Sequence, residues 1–331
     1  MNSNQSDVVC IGNAIVDVLT QVDDAYLSKA GMNKGAMTLI DFDKAEELYA
    51  SIRGGLEASG GSAANTAVGI ASLGGQAHYI GKVAPDGLGD VFEEDIRNQK
   101  VSFRTDRTTS DLSTARCMIF VTPDSQRTMN TYLGACTTLS PEDISSGDIS
   151  AAKVTYLEGY LWDAPAAKEA FVKAIDICHA AGRKASLTLS DSFCVERFRS
   201  EFSELVTNQI DILFANEAEI CSLYQTNNLD DAIACVRENC ELSAITCSEA
   251  GSIIVSGDET IRIKAAPVDE VVDTTGAGDL YAAGFLYGYT QGFDLELCGK
   301  IASLAAGEII SHFGARPEVS LADLAKPLLQ S

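Results

Sequence analysis

Short runs of apolar and β-branched residues alternate with segments of helical periodicity along most of this chain. The apolar runs occupy residues 7–11, 78–80, 154–157, 185–189, 210–214 and 243–246. The helical segments occupy residues 87–99, 164–181, 216–224, 230–239 and 279–290. Strands that are apolar throughout are buried on both faces, and the intervening helices cover them. The sequence therefore predicts an α/β fold with a doubly wound parallel sheet and helices on both faces.

Two stretches, at about residues 15–40 and 113–135, depart from this alternation. In the second, residues 114–121 and 128–133 flank a turn-like Pro123-Asp124-Ser125. Such segments are typical of antiparallel strands with one face in solvent, and they are too few to form a core of their own. We therefore expect a single domain over residues 1–331, with these strands inserted as a small β-sheet lid.

The charge balance limits the partners that the chain can bind. Its 24 Lys and Arg against 47 Asp and Glu give a formal net charge of -23 at pH 7, which repels nucleic-acid phosphates and anionic lipid. We therefore expect neither a nucleic-acid nor a membrane partner. No run reaches the ~18 apolar residues of a membrane-spanning helix, and the N-terminus lacks the basic start of a signal peptide. These features predict a cytoplasmic location.

The most informative motif is V-V-D-T-T-G-A-G-D at residues 271–279, ahead of a helical pattern. It predicts a strand, a glycine turn and a helix start, where free amide groups and the helix dipole favour an anion. Gly276, Ala277 and Gly278 have little or no side chain, so a phosphoryl group could approach their N–H groups closely. Asp279, in the first helical turn, would be placed to take a proton from an attacking hydroxyl.

Plainer interpretations fit the same residues. Asp279 could be a capping carboxylate and the glycines a tight turn. A dinucleotide-binding fingerprint is disfavoured by Tyr281 at its sixth position and by the late place of the motif in the chain. No Walker A loop is present, so any use of ATP must depend on another loop.

A second glycine-rich segment, G-G-S-A-A-N at residues 60–65, precedes another helical pattern. Gly60 and Gly61 expose amide groups, and Asn65 adds a donor and an acceptor, which suits the vicinal hydroxyls of a sugar. Asn13 and Asp17 follow the first predicted strand, where open α/β sheets bind ligands. The alternative is a helix whose small residues merely pack against the sheet.

Together these segments resemble the signatures of the ribokinase family, also called the PfkB carbohydrate kinases. D-T-T-G-A-G-D at residues 273–279 resembles the C-terminal signature and G-G-S-A-A-N the N-terminal one, within a similarity over about residues 7–317. The resemblance implies a ribokinase-like fold and a kinase that uses ATP and Mg²⁺. It makes Asp279 the catalytic base and Gly276, Ala277 and Gly278 the anion hole, where Gly278 also contacts ATP.

The resemblance extends to the nucleotide side of such a site. Asn216 and Glu219 resemble the N-x-x-E element that organises the ATP phosphates and, largely through water, Mg²⁺. Without the resemblance, N-E-A-E is an ordinary helix N-cap with acidic residues in the first turn. The segment from Thr246 to Gly251 resembles the ATP-binding loop T-x-G-x-x-G, with Ser248 where glycine is usual.

Three further polar residues take roles from the same resemblance. Asp273 and Thr275 resemble positions that support a monovalent cation such as K⁺ in some members. Arg127, in a predicted lid strand, would reach phosphate and close over it. The plainer interpretation of Arg127 is a solvated hairpin arginine.

Within the family the chain is most similar to members that phosphorylate adenosine. In that resemblance the ribose is bound by Asn13, Asp17, Gly60, Gly61 and Asn65. The purine needs a flat apolar sandwich, for which the candidates are Met37, Leu39, Tyr160 and Trp162. The implied reaction moves the γ-phosphoryl group of ATP to the 5′-hydroxyl of a ribonucleoside, converting adenosine to AMP in purine salvage.

Other functions remain open at this point. Residues 36–40 lack the glutamine that mammalian-type members place near the purine, so a broader nucleoside kinase or a ribokinase- or fructokinase-type sugar kinase is an alternative. A dehydrogenase and a non-catalytic nucleoside-binding protein are alternatives from other classes. We expect a monomer or a homodimer, because lid sheets pair between subunits in some members of the family.

Overall fold

The computed structural model describes residues 6–52, 54–124 and 126–330. Ser125, which ends the predicted turn, lies outside these ranges, as do the first five residues of the N-terminus. The described strands are β1 (Val8–Ile11), β2 (Ile15–Gln21), β3 (Met37–Leu39), β4 (Leu56–Gly60), β5 (Ala77–Ile80), β6 (Ser102–Phe103), β7 (Ala115–Val121), β8 (Arg127–Tyr132), β9 (Val154–Glu158), β10 (Lys184–Thr188), β11 (Ile212–Asn216), β12 (Leu242–Thr246), β13 (Ser252–Ser256) and β14 (Glu259–Ile263).

Helices follow most of these strands. The described helices are α1 (Asp24–Ala30), α2 (Phe42–Ser51), α3 (Ser62–Ser72), α4 (Gly87–Asn98), α5 (Ser146–Ala151), α6 (Pro165–Ala180), α7 (Ser192–Asn208), α8 (Glu217–Tyr224), α9 (Leu229–Asn239), α10 (Ala277–Gln291), α11 (Leu295–Ile309) and α12 (Leu321–Leu329). None of these helices is long and apolar enough to cross a membrane.

The main sheet has the strand order β14-β13-β12-β11-β10-β9-β1-β5-β6 within the described residues. Its strands pair in parallel from β6 to β12, and only β13 and β14 run antiparallel to their neighbours. Side chains alternate across a strand, so Val8 and Cys10 enter one core while Val9 and Ile11 enter the other. Helices α3, α4, α10, α11 and α12 cover the first core, and α5 to α9 cover the second. The predicted doubly wound α/β fold is confirmed.

A second sheet, of strand order β3-β8-β7-β2-β4, lies beside the main one. Four of its strands come from the two stretches singled out in the sequence, whereas β4 was not predicted. The expectation of antiparallel pairing was wrong for β2 with β7 and for β3 with β8, which are parallel. A hairpin turn explains only β7 with β8; the other pairings join segments distant in sequence, whose direction no local pattern sets.

The strand predicted just before the glycine turn of residues 276–278 is also absent from the described chain. Between β14 and α10 the backbone is irregular, and the Val272 N–H donates to the carbonyl oxygen of Ile310 at 2.8 Å. The hydrogen bonds that a strand would make to the sheet are therefore made to the end of α11.

Candidate active site

A cleft of about 2170 Å³ opens between the main sheet and the inner face of the second sheet. Residues that end or follow main-sheet strands line one wall: Asn13, Glu158, Thr188, Asn216 and Thr246. Residues of β2, β3, β7 and β8 line the opposite wall: Ile15, Asp17, Met37, Leu39, Cys117, Ile119, Met129 and Thr131. The carboxyl ends of parallel strands are where open α/β sheets bind ligands.

The start of α10 projects free amide groups into this cleft. Gly276 precedes the helix at φ 78° and caps it without a side chain. No described group accepts a hydrogen bond from the N–H of Gly278 or Asp279, and a Cβ on Gly278 would meet nothing within 4 Å. The N–H of Ala277 instead donates to the Thr274 carbonyl at 3.2 Å, so this part of the expected anion hole is already paired. The N–H of Gly276 also has no acceptor among the described groups, so the open N–H groups at this helix start are those of residues 276, 278 and 279.

Asp279 is held by two side chains of α3. The Ser62 hydroxyl donates to Asp279 Oδ1 at 2.6 Å, and the Asn65 amide donates to Oδ2 at 2.8 Å. Burial raises the pKa of Asp279, while the bonds from Ser62 and Asn65 and the charge of Arg316 partly oppose that rise. The carboxylate thus faces the cleft with its orientation fixed, as a proton acceptor requires.

Asp17 and Asn13 stand on opposite walls of the cleft, at the same end of it as Asp279. Burial raises the pKa of Asp17 to about 6. The structure places Gly60 directly against the Asp17 carboxylate, where a Cβ would overlap it, so glycine is needed at that position for close packing. The Asn13 side chain donates to Glu158 Oε1 at 2.9 Å, which leaves its carbonyl oxygen available to a ligand.

Gly61 adopts φ 98° between β4 and α3, and a Cβ there would overlap the Asn13 carbonyl oxygen. Asn65 Oδ1 is buried and lacks a partner among the described groups. The predicted ribose-binding residues Asn13, Asp17, Gly61 and Asn65 therefore all line one end of the cleft, next to Asp279.

The residues predicted for the nucleotide side line the other end of the cleft. Asn216 caps α8 and binds Glu219 reciprocally: the Asn216 N–H donates to Glu219 Oε2 at 2.9 Å, and the Glu219 N–H donates to Asn216 Oδ1 at 2.8 Å. Burial raises the pKa of Glu219 to about 7. Asn216 and Glu219 thus form the N-terminal cap of α8 and also line the cleft.

The loop from Thr246 to Gly251 also lines this end. Ser248 stands at φ 50°, the left-handed region in which glycine is unstrained, so the backbone keeps the shape expected of the glycine usual there. Gly251 stands at φ 92°, and a Cβ on it would overlap the Ile263 carbonyl oxygen.

Asp273 and Arg127 form a buried ion pair, each side chain being 7% exposed. The other contacts of the Asp273 carboxylate are the N–H groups of Thr275 and Gly314, both at 3.0 Å. This carboxylate already has a guanidinium partner, so Asp273 and Thr275 do not fit a monovalent cation in this arrangement. Arg127 lies behind the cleft wall rather than in it; its Nη2 contacts the Asp273 carboxylate, and its Nε lacks a hydrogen-bond acceptor among the described groups.

The candidate purine residues divide into two groups. Met37 and Leu39 are 42% and 48% exposed on the cleft side of edge strand β3, and Tyr160 lines the facing wall. Trp162 is 5% exposed, packs on Phe171 and Phe202 and donates to Glu201 Oε2 at 2.8 Å. Its assignment to a purine site was wrong, because the ring is part of the core.

Sequence reasoning missed several residues of the site. Phe193 is 62% exposed and lines the cleft near Tyr160. Glu158 is 1% exposed and accepts hydrogen bonds from Asn13 and from the Ala63 N–H. Its place at the carboxyl end of a buried strand was the signal that could have identified it, since a carboxylate there departs from an apolar run.

The charge in the cleft is strongly negative. Among the described lining residues, Arg199 is the one basic side chain, against nine carboxylates: Asp17, Glu158, Asp163, Asp191, Glu196, Glu217, Glu219, Glu249 and Asp279. A polyphosphate could bind here only with amide groups and a divalent cation to offset its charge.

A family model described as pfkB family carbohydrate kinase matches residues 35–321, a range that includes both glycine-rich motifs and most of the cleft. The chain belongs to the PfkB family of carbohydrate kinases. Family membership and fold agree with the resemblance read from the two motifs. As a PfkB kinase, the protein binds ATP and a nucleoside or sugar acceptor, and ATP in this family typically carries Mg²⁺.

Solved structures and a curated relative resemble this PfkB kinase over nearly its full length. The adenosine kinase from Sinorhizobium meliloti is 54% identical, with 98% of this chain and 99% of that one covered and a TM-score of 0.91. A probable sugar kinase protein from Rhizobium etli CFN 42 is 52% identical, with 98% of each chain covered and a TM-score of 0.91. The adenosine kinase of Saccharomyces cerevisiae is 28% identical over 330 residues, covering 93% of this chain and 95% of that protein.

Proposed function

We propose that this PfkB kinase transfers the γ-phosphoryl group of MgATP to the 5′-hydroxyl of a ribonucleoside, and that adenosine is its preferred acceptor. The observation that carries the proposal is the start of α10, where the Asp279 carboxylate lies beside the free N–H groups of Gly278 and Asp279. A proton acceptor next to an anion-binding helix end is what phosphoryl transfer to a hydroxyl requires. The 54% identity to an adenosine kinase supports the choice of acceptor.

In the proposed reaction the acceptor oxygen bonds to the γ-phosphorus as its proton passes to Asp279. The bond from that phosphorus to the β,γ-bridging oxygen breaks, and ADP leaves. Asn13, Asp17, Gly61 and Asn65 hold the ribose, which fixes the hydroxyl beside the base. The N–H groups of residues 278 and 279 donate to the transferring group and stabilise its charge.

Asn216 and Glu219 are the residues that would organise Mg²⁺, and Thr246, Ser248 and Gly251 would line the ATP phosphates. The donor set fits, because carboxylates and amide groups dominate a cleft that has little cationic side-chain charge. When bound, Mg²⁺ offsets the charge of the phosphate oxygens. We assign no role to K⁺, because Arg127 already pairs with the Asp273 carboxylate.

Arg127 is proposed to bind phosphate when the second sheet closes on the cleft. Its buried Nε has no hydrogen-bond acceptor among the described groups, which is costly unless a ligand supplies one. Arg127 begins β8, so a movement of that sheet would carry the guanidinium with it. Closure would also exclude water, which would otherwise accept the phosphoryl group.

The purine is proposed to lie between the apolar residues that remain exposed in the cleft. Met37 and Leu39 stand on the second sheet, and Tyr160 and Phe193 stand on the opposite wall. Flat rings and a flexible methionine suit a planar base, and their exposure is otherwise unfavourable. Phe193→Ala should raise the KM for adenosine while leaving the KM for ATP nearly unchanged.

A sugar kinase is the second candidate, favoured by the 52% identity to a probable sugar kinase protein. The deciding experiment is ADP release from MgATP with adenosine, inosine, guanosine, ribose or fructose at equal concentration. Selective turnover of adenosine supports the purine site. Turnover of ribose or fructose instead would retain Asp279 as the base and remove the purine roles of Met37, Leu39, Tyr160 and Phe193.

The role of Asp279 is tested by Asp279→Asn with Asp294→Asn as the matched control. Asp294 immediately precedes α11 and accepts from the Leu297 N–H, so it is a capping aspartate away from the cleft. If Asp279 is the base, Asp279→Asn loses about 10²- to 10⁴-fold in kcat while still binding nucleoside. If Asp279 only caps its helix, the two variants should both keep nearly full activity, because asparagine is also a good cap.

A further inference from the structure

Arg316 lies behind the cleft wall, after α11, and every part of its guanidinium donates a hydrogen bond. Nε and Nη2 donate to the Ser59 carbonyl oxygen at 3.1 and 2.7 Å. Nη2 also donates to the Ser59 hydroxyl at 2.9 Å, and Nη1 donates to the Ala64 carbonyl oxygen at 2.8 Å. Arg316 does not line the cleft, so it is not placed to touch a substrate.

These acceptors bracket the glycine-rich turn between β4 and α3. Gly60, next to Ser59, packs on the Asp17 carboxylate. Asn65, next to Ala64, donates to Asp279. Arg316 therefore links the two ends of the turn whose residues contact the carboxylates of Asp17 and Asp279. Its bonding partners Ser59 and Ala64 lie more than 250 positions earlier in the chain.

The positive charge of Arg316 is not neutralised by direct contact. Among the described residues no carboxylate oxygen lies within 4.0 Å of the guanidinium, whose hydrogen bonds all go to uncharged oxygens. The titratable groups that face it are Asp17 on β2, Tyr79 on β5, Asp95 on α4 and Asp279 on α10. Burial raises the pKa of both Asp17 and Asp279, and the charge of Arg316 opposes that rise in each.

Other titratable and charged groups also lie close enough to Asp17 or Asp279 to interact electrostatically with them. Those that face Asp17 or Asp279 are Cys117 on β7, Arg127 on β8, Tyr156 and Glu158 on β9, Tyr160 after β9 and Glu219 on α8. Arg127 acts on Asp17, and it is already paired with Asp273. Arg316 is thus the cation that acts on both carboxylates.

We propose that Arg316 is a positioning residue of this site: its fork of donors fixes the turn at residues 60–65, and its positive charge lies where it favours the negative charge of Asp17 and Asp279. This inference rests on the phosphotransfer proposed above and deepens it. Two properties of the guanidinium are used separately: its fork of donors shapes the turn, and its charge acts on the carboxylates. A lysine would keep the charge but lose the fork.

The test compares Arg316→Gln and Arg316→Lys with Arg116→Gln as a control. Arg116 is also buried but pairs with Glu46 beneath α2, away from the cleft. In the pH profile of kcat/KM, Arg316→Gln should move the acid limb, where activity falls as the base is protonated, to higher pH by about one unit. Arg316→Lys should leave the limb in place and raise the acceptor KM about tenfold. Arg116→Gln should lower the melting temperature without moving the limb.

A second measurement does not need activity. The free energy of unfolding is followed by urea between pH 5 and 7.5, where carboxyls with a raised folded-state pKa make stability fall as pH rises. Loss of the Arg316 charge raises the pKa of Asp17 and Asp279 further, so this fall should be steeper in Arg316→Gln than in wild type. Arg316→Lys should keep the wild-type slope.

The outcomes separate this inference from the proposed function. If the wild type turns over no acceptor, the proposed function fails, and the unfolding slopes alone decide the role of Arg316. If Arg316→Gln does not fold, Arg316→Lys decides. A shift of its acid limb, or a steeper fall of its unfolding free energy with pH, overturns the role of the charge. An unchanged acceptor KM overturns the positioning of the turn. A folded Arg316→Gln with wild-type limb, slope and KM overturns the whole inference.

Discussion

At the scale of single residues, the chemistry of this site depends on the surroundings of Asp279 more than on its place in the motif. Ser62 and Asn65 fix the carboxylate, and Arg316 acts on it from behind the wall. An aspartate at the start of a helix is ordinary. Hydrogen-bond donors aimed at both of its oxygens beside free amide groups are what make it a candidate base.

Ser62→Ala tests this environment directly. The Ser62 hydroxyl favours the ionised form of Asp279, so its loss should raise the pKa of Asp279 further. A base must be ionised to accept a proton, and we therefore expect the acid limb of kcat/KM to move to higher pH, with a smaller change on the plateau. Ser62→Thr keeps the hydroxyl and should keep the wild-type limb. A folded Ser62→Ala with an unmoved limb would contradict the proposed base.

Glu158 makes a prediction about stability rather than rate. Burial raises its pKa from 4.5 to about 7, so the folded state holds a proton that the unfolded state has released between these values. Its contribution is fully present below pH 4.5 and is lost as pH rises through 7, by an amount on the order of 3 kcal/mol. Glu158→Gln should flatten the fall of unfolding free energy between pH 5 and 7.5, as measured in urea. A slope equal to wild type would show that Glu158 does not titrate there.

At the scale of elements, two of the helices that begin at the cleft, α3 and α10, share one device. Gly61 at φ 98° and Gly276 at φ 78° precede α3 and α10, and neither helix has a side-chain cap. Other helices differ: Asp23, Asp41 and Asp86 cap α1, α2 and α4 through their carboxylates, and at the cleft itself Asn216 caps α8 through its amide. A missing cap leaves first-turn N–H groups for a ligand, and the glycine permits the backbone angle.

Gly61→Ala and Gly74→Ala form a matched pair at this scale. The φ angle of Gly74, 93°, is close to the 98° of Gly61, but a Cβ on Gly74 would meet nothing within 4 Å. Gly74→Ala should cost about 1 kcal/mol of unfolding free energy from backbone strain alone. Gly61→Ala should cost more than about 2 kcal/mol, because its Cβ also overlaps the Asn13 carbonyl, and it should raise the acceptor KM. Equal costs in urea unfolding would show that the close approach to Asn13 has no energetic weight.

At the scale of the whole molecule, the second sheet has one face for the cleft and one for its own helices. Met118, Phe120 and Tyr132 of β7 and β8 pack with Leu27 of α1 and Leu48 of α2. The apolar side chains of the outer face of this sheet are thereby covered by α1 and α2. The inner face is the one with exposed apolar residues, and it belongs to the cleft.

This coverage predicts a monomer. Pairing of second sheets face to face would require α1 and α2 to leave their small core, which costs the burial of its apolar side chains. Light scattering after size-exclusion chromatography should give the mass of one chain at micromolar concentration. A stable mass of two chains would show that another surface, such as the edge of β4 with its exposed Leu56, forms an interface.

The sequence by itself determined the layered α/β fold and, in both glycine-rich motifs, the glycine turn and the start of the helix that follows it. Apolar runs of strand length, helical periods and glycines at helix starts act over a few residues, so their physics can be read locally. Only the tertiary structure decided that Asp279 binds side chains 214 and 217 positions away, that Arg316 ties the turn at residues 60–65, and that Trp162 belongs to the core. It also decided the strand β4 and the parallel pairings of the second sheet. The reason is that such contacts are set by how whole elements pack, and spacing along a chain does not encode which distant elements will meet.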